Sequence, residues 1–180
     1  FIEAGSAGSL TCVEDFRFSY DTPEGPREIR AISDAAADWA IPPALVASIE
    51  RGAREAVAAT GGLGDFAVDD VTFLILDDRT DWGSTADSEV QAVTDGSRDV
   101  AGNRPGECLV TLFGLASGAS PEEMAVTVAH EYFHCLQYAT FSEGQMGSYS
   151  DGGAWWIEGA AEYFSAVAGS GSIPFTGRAA

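Results

Sequence analysis

The 180 residues contain two histidines, and both fall in one short run, His130-Glu131-Tyr132-Phe133-His134. On a helix, residues four apart share a face, so the two imidazoles can reach one metal ion at about 2.0–2.1 Å. Glu131 lies one position on, about 100° around the helix. From there its carboxylate can reach a water on the metal without becoming a ligand. Two nitrogen ligands with a separate base beside them are the makings of metal-assisted hydrolysis. The competing explanation is an amphipathic helix with two surface histidines. The metal reading therefore requires a well-defined helix at this place.

A catalytic zinc usually takes three protein ligands and leaves a fourth position open. No histidine remains, so the third ligand must be an acid or a cysteine. The run Trp155-Trp156-Ile157-Glu158-Gly159-Ala160-Ala161-Glu162-Tyr163 offers two acids, again four apart and on one helix face. The stretch around them is otherwise apolar, and burying a carboxylate pair is costly unless a cation or hydrogen bonds compensate it. The alternative is two solvent-exposed glutamates. Cys135 adjoins His134 but projects about 100° away on the helix, which makes it a core thiol or half of a disulfide rather than a ligand.

The elements that must carry these groups are legible. Ser120-Pro121-Glu122-Glu123 opens a helix, with Ser120 as N-cap, Pro121 at the first helical position and Glu123 completing a capping box. That helix should run to about Tyr138 or Ala139. A Gly-rich loop over 142–153 leads to a second helix over 154–168, stopped by Gly169-Ser170-Gly171. Upstream, Phe16–Tyr20 alternates like a half-buried strand, and Asp21–Pro26 carries turn chemistry. Residues 27–40 are ambiguous, with weak helical spacing through Ile29, Ile32, Ala36 and Trp39. Pro42-Pro43 can open a helix that places Leu45, Val46, Ile49, Ala53 and Val57 on one face. Val71–Leu76 and Cys108–Phe113 read as short buried strands. Residues 77–106 read as loop, with a short edge strand near Gln91–Thr94. No repeat or linker divides the chain, so residues 1–180 are expected to form a single α+β domain with helices packed on a sheet.

The motif His130-Glu131-x-x-His134, followed by Trp155 or Trp156 and then Glu158-Gly159-x-Ala161-Glu162, resembles the gluzincin zinc metallopeptidases. The longer match, with Tyr132, Leu136, Gln137, Tyr163 and Phe164, looks closest to the catalytic unit of bacterial collagenases. The 23 residues between His134 and Glu158 are more than in thermolysin-like enzymes and fewer than in collagenases. The resemblance covers residues 120–168. It implies a zincin-like fold: a mixed sheet packed by a backing helix and an active-site helix, followed by a glutamate-bearing helix. It implies one zinc held by His130, His134 and Glu158, with Glu131 as general base and later acid. Glu162 would orient a ligating imidazole by accepting its N–H. Gly159, lacking a side chain, supports that assignment by letting the backbone at Glu158 approach the histidine helix, with Tyr163 filling space between the helices. The implied activity is hydrolysis of polypeptides lying along a sheet edge. A non-catalytic zinc-binding module of the same fold, serving recognition or attachment, is the rival. Gluzincins also supply an oxyanion-stabilising Tyr or His from a following helical subdomain. Here Tyr149, Tyr163 or Arg178 would have to substitute, or the 180 residues are part of a longer enzyme, which is the expectation.

Composition narrows the partners. The chain is 46% hydrophobic, and at this size folding buries roughly 70% of the unfolded surface. The net charge is −19, and all nine basic residues are arginine. Such a field repels phosphate backbones and anionic headgroups, so neither nucleic acid nor a membrane surface is an expected partner. No apolar run approaches the roughly 18 residues of a membrane span, so membrane insertion is not expected either. The first residues lack the basic and apolar regions of a signal peptide. A secreted or cell-surface location is expected from the family resemblance and the acidic, lysine-free composition. Cys12, Cys108 and Cys135 allow at most one internal bridge. Asp78 to Glu89 has the length of an EF-hand loop, but Trp82 occupies a ligand position, which excludes it. An irregular Ca2+ site among Asp77, Asp78, Asp81 and Asp87 is the remaining second-metal candidate.

Overall fold

The computed structural model describes residues 12–22, 25–34, 41–60, 70–76, 92–95, 107–113, 120–140 and 154–170. Alternation of apolar and polar residues makes Cys12–Thr22 a strand, β1, which pairs antiparallel with β2, Gly25–Asp34. Phe16 faces Ala31, and Phe18 faces Ile29 across the pair. Gly25 opens β2 at φ 120°, a left-handed conformation that glycine adopts without strain. Residues 27–34, whose spacing hinted at a helix, are thus strand. Ile29 and Ala31 are buried on one face and Ile32 on the other. A strand buried on both faces loses the clean alternation that marks an exposed one, and its apolar residues can mimic helical spacing.

The remaining elements follow the sequence reading closely. Helix α1 is Pro43–Thr60, and strand β3 is Asp70–Ile75. Strand β4 is Ala92–Asp95, β5 is Glu107–Leu112, α2 is Pro121–Thr140, and α3 is Ala154–Ser170. The strands form one mixed sheet in the order β1-β2-β3-β5-β4. Strands β2, β3 and β5 run parallel, while β4 lies antiparallel to β5 at the edge. The fold is α+β, as expected.

One face of the sheet packs against the helices. Phe73, Val110 and Leu112 meet Ile49 of α1, Met124 of α2 and Phe164 of α3 in a single buried cluster. The other face carries a smaller buried cluster of Ile32, Leu74, Leu76, Leu109 and Phe113. Beside it, Arg30 donates to Thr72 Oγ1 at 2.8 Å and to Glu107 Oε1 at 2.6 Å, and Thr72 donates to the same Glu107 oxygen at 2.5 Å. Three strands are thereby cross-linked by side chains.

Helix α2 is fastened from several directions. At its start, Glu123 N donates to Ser120 Oγ and Ser120 N donates to Glu123 Oε2, the reciprocal capping box read from the sequence. The Ser120 backbone N–H, with its hydroxyl, holds the Glu123 carboxyl below the ordinary carboxylate range. Gly52 of α1 lies against Ala125, where an added Cβ would stand 2.5 Å from the Ala125 carbonyl oxygen. Only glycine permits that approach. Cys135 is joined to Cys108 of β5 by a disulfide, and both are buried. Tyr132 is fully buried with its hydroxyl 3.3 Å from that of Tyr20 on β1, and burial pushes both phenols up.

Candidate metal centre

The two histidines project from the middle of α2 toward the start of α3. His130 Nε2 and His134 Nε2 are 3.1 Å apart. Glu158 Oε2 lies 3.2 Å from the first and 3.5 Å from the second. Four ligands at about 2.05 Å around a tetrahedral ion stand about 3.3 Å from one another. The three atoms therefore form a triangle of the size one tetrahedral face requires. Among the described residues, His130, His134 and Glu158 are the group that could hold a metal ion.

The ring tautomer of His134 follows from its neighbours. Gln137 Nε2 donates to the Ile157 carbonyl at 3.1 Å, and Gln137 Oε1 is 2.8 Å from His134 Nδ1. A carbonyl only accepts, so the amide nitrogen must face Ile157 and the amide oxygen must face His134. His134 therefore carries its hydrogen on Nδ1 when neutral, and its Nε2 lone pair points into the cluster. His130 Nδ1 faces the Glu162 carboxylate at 3.6 Å, and its Nε2 turns to the cluster as well. The His134 lone pair, the second imidazole nitrogen and the Glu158 carboxylate thus converge on one point, a donor set that could hold a cation.

The sequence-derived residues are placed as follows. Glu131 is buried and is not one of the three clustered residues; Thr94 Oγ1 of β4 donates to its Oε2 at 2.5 Å. The same hydroxyl is 3.2 Å from the Glu131 carbonyl oxygen. Glu158 faces both imidazoles. Glu162 stands behind His130 with its side chain 78% exposed, at ion-pair rather than hydrogen-bond distance.

Two reasons given for preferring Glu158 do not hold. Gly159 is exposed, and a Cβ there would meet nothing within 4 Å, so it does not mark a close helix approach. Tyr163 is exposed rather than interhelical, as are Trp155 and Trp156. The helix contact is made instead by Ile157, Ala161, Phe164 and Ala168, with Phe164 stacked on Phe133 at 4.7 Å. Glu158 and Glu162 each follow a buried residue of that stripe, Ile157 and Ala161, so what separates them is position along α3: Glu158 stands beside both rings, and Glu162, one turn on, faces His130 alone.

Sequence reasoning assigned no part to Thr94 or Gln137. A threonine in a four-residue edge strand carries no signal of its own. Gln137 did carry one: a polar residue at i+3 from His134 on a helix face that is otherwise apolar. Asp77, Asp78, Asp81 and Asp87, proposed for calcium, lie outside the described residues, as do Tyr149 and Arg178.

Fold and site together define an α+β domain with a two-histidine, one-glutamate cluster suited to a metal ion. No protein-family model, curated protein or solved structure matches the chain.

Proposed function

We propose that this protein is a zinc-dependent peptidase with a zincin-like arrangement of sheet, metal helix and glutamate-bearing helix. The observation that carries the reading is the triangle of His130 Nε2, His134 Nε2 and Glu158 Oε2, with sides of 3.1, 3.2 and 3.5 Å. Two imidazoles and one carboxylate form a known catalytic zinc set, and zinc bound there supplies a Lewis acid and an acidified water near neutral pH. The same donors also hold iron in oxygenases. Glu131 favours hydrolysis: a buried carboxylate next to a ligand, kept out of the ligand set by Thr94, is a base in waiting. In this reading Glu131 takes a proton from the attacking water and delivers it to the departing amine. Thr94 holds the carboxylate in reach of both.

The substrate is a polypeptide. Among the described strands, β4 ends the sheet on the side where Thr94 meets Glu131, so an extended peptide pairing with that edge would pass beside the base. The Cys108–Cys135 bridge suits an oxidising compartment, which supports a secreted or cell-surface location. No helix among the described residues is long and apolar enough to cross a membrane.

The test is Glu131→Gln, assayed on a generic unfolded protein such as casein. The expected outcome is stoichiometric zinc in both proteins and a fall in kcat of about 10² or more in the variant. Equal cleavage by the two would remove Glu131 from the base role. Zinc binding with no cleavage by either would instead establish a non-catalytic zinc module serving recognition or attachment.

A further inference from the structure

Gln137 is 1% exposed, and a buried primary amide is destabilising unless its donor and acceptor are both used. Both are used, and both lead to the metal cluster. Its oxygen meets His134 Nδ1 at 2.8 Å on its own helix, and its nitrogen meets the Ile157 carbonyl at 3.1 Å on the next. Ile157 immediately precedes Glu158. One side chain therefore touches the ring of one candidate ligand and the backbone beside another.

We infer that Gln137 is a positioning residue for the metal cluster, setting the ring of His134 and the height of Glu158 at once. On the His134 side, the amide oxygen selects the form with hydrogen on Nδ1 and leaves the Nε2 lone pair for the metal. On the α3 side, the amide N–H takes the second lone pair of a carbonyl whose first serves the helix. That bond locks α3 lengthwise against α2. Apolar contacts such as Phe133 on Phe164 resist separation of the helices but slide easily, whereas a directional hydrogen bond resists sliding. A slide of one residue along a helix is about 1.5 Å, enough to take a carboxylate out of a 2 Å coordination sphere.

Of the common side chains of this size, only an amide can do both. Methionine has a similar shape and offers neither strong group. Glutamate keeps the acceptor for His134 and loses the donor for Ile157. The inference rests on the metal-site reading but not on peptidase activity, so its test uses no substrate.

Two measurements on wild type, Gln137→Met and Gln137→Glu decide it. Nitrogen-15 NMR of the metal-free proteins at about pH 8.5, above the ordinary imidazole range, reports which ring nitrogen of His134 carries hydrogen. The Nδ1–H form is expected in wild type and in Gln137→Glu, and its loss is expected in Gln137→Met. Competition with a chelator reports zinc affinity, which should fall about 10–100-fold in Gln137→Met. If Gln137→Met keeps both the Nδ1–H form and wild-type affinity, Gln137 merely fills space and the inference is wrong. Loss of the Nδ1–H form in Gln137→Glu would equally overturn the part assigned to the acceptor. Should the methionine variant fail to fold, the glutamate variant still decides the ring assignment. A wild type that binds no zinc would bring down the metal reading, and the NMR signal would still decide whether Gln137 sets the ring.

Discussion

Two of the polar clusters among the described residues lie against the apolar core, and they differ in their chemistry. On the outer face of the sheet, Glu107 meets the Arg30 guanidinium and the Thr72 hydroxyl, so donors and acceptors are matched within the chain. Between α2 and α3, His130, His134 and Glu158 bring three possible ligand atoms within 3.5 Å of one another. The first cluster is complete and reads as a structural brace. The second is a set of atoms that could hold an ion. Polarity inside a fold is therefore no guide to function by itself. The informative features are which side-chain types converge and at what spacing.

The two also differ in how they are held. The brace spans strands whose register is fixed by parallel ladders from Asp70 to Ile75 and from Glu107 to Leu112. The metal cluster spans two helices, whose relative position depends on side-chain packing, the Cys108–Cys135 bridge and the Gln137 bond. Variants that shift helices should disturb one cluster and spare the other.

The largest difference should come from Glu158. Glu158→Ala leaves two imidazoles and is expected to weaken zinc binding by at least about 10³-fold. Glu162→Ala should cost at most about 10–100-fold, because in the proposed site Glu162 would act only through His130, which it faces from solvent at 3.6 Å. Zinc titration against a chelator ranks them, and the reverse order would mean that the two acids have exchanged parts.

Next in size is Gly52→Ala. The added Cβ meets backbone atoms of Ala125, which cannot rotate away, so a loss of about 2–3 kcal/mol in unfolding free energy is expected. Because α2 must shift, zinc affinity should fall as well, although no polar atom has been touched. A stable variant with unchanged zinc affinity would show that the α1–α2 contact does not set the cluster.

Arg30→Met is the converse. It removes the cation of the brace and leaves Glu107 and Thr72 partly unmatched, for an expected loss of about 2 kcal/mol in urea unfolding. Zinc affinity should stay within twofold or so of wild type, since the brace lies on the opposite face of the sheet. Coupled loss of zinc would erase the distinction between the two clusters.

The smallest effect concerns acid. The Glu123 carboxyl is held below its ordinary range by Ser120, so its contribution is full above about pH 4.3 and disappears as the pH falls through the lowered value. Glutamine keeps the capping geometry and cannot titrate. Between about pH 6 and about pH 3, wild type should lose more stability than Glu123→Gln, as read by urea midpoints. Parallel curves would remove the capping box from the acid response.

Much of the fold could be read residue by residue because it is local. The capping box at Ser120–Glu123, the proline start of α1 and the β-rich runs of β3 and β5 depend on neighbours a few positions apart. Strand β2 was harder, since Ile29 and Ala31 are buried among helix residues on one face, Ile32 is buried on the other, and its ladder partners are β1 and β3. Local pattern cannot report a neighbour forty residues away.

The site divides along the same line. The sequence by itself determined that two imidazoles share one helix face with a carboxylate between them, because helical periodicity alone dictates it. It also determined that any third ligand had to be an acid or a cysteine. Tertiary structure decided the rest. Glu158 and Glu162 are equivalent by spacing, and only the docking of α3 on α2 sets Glu158 beside both rings and leaves Glu162 one turn further on, in solvent. Cys135 found Cys108 rather than Cys12 because α2 lies over β5. Thr94 reached Glu131 because β4 forms the edge of the sheet beneath α2. These are distances between elements, set by how side chains pack across the core, and no pattern within a single element contains them.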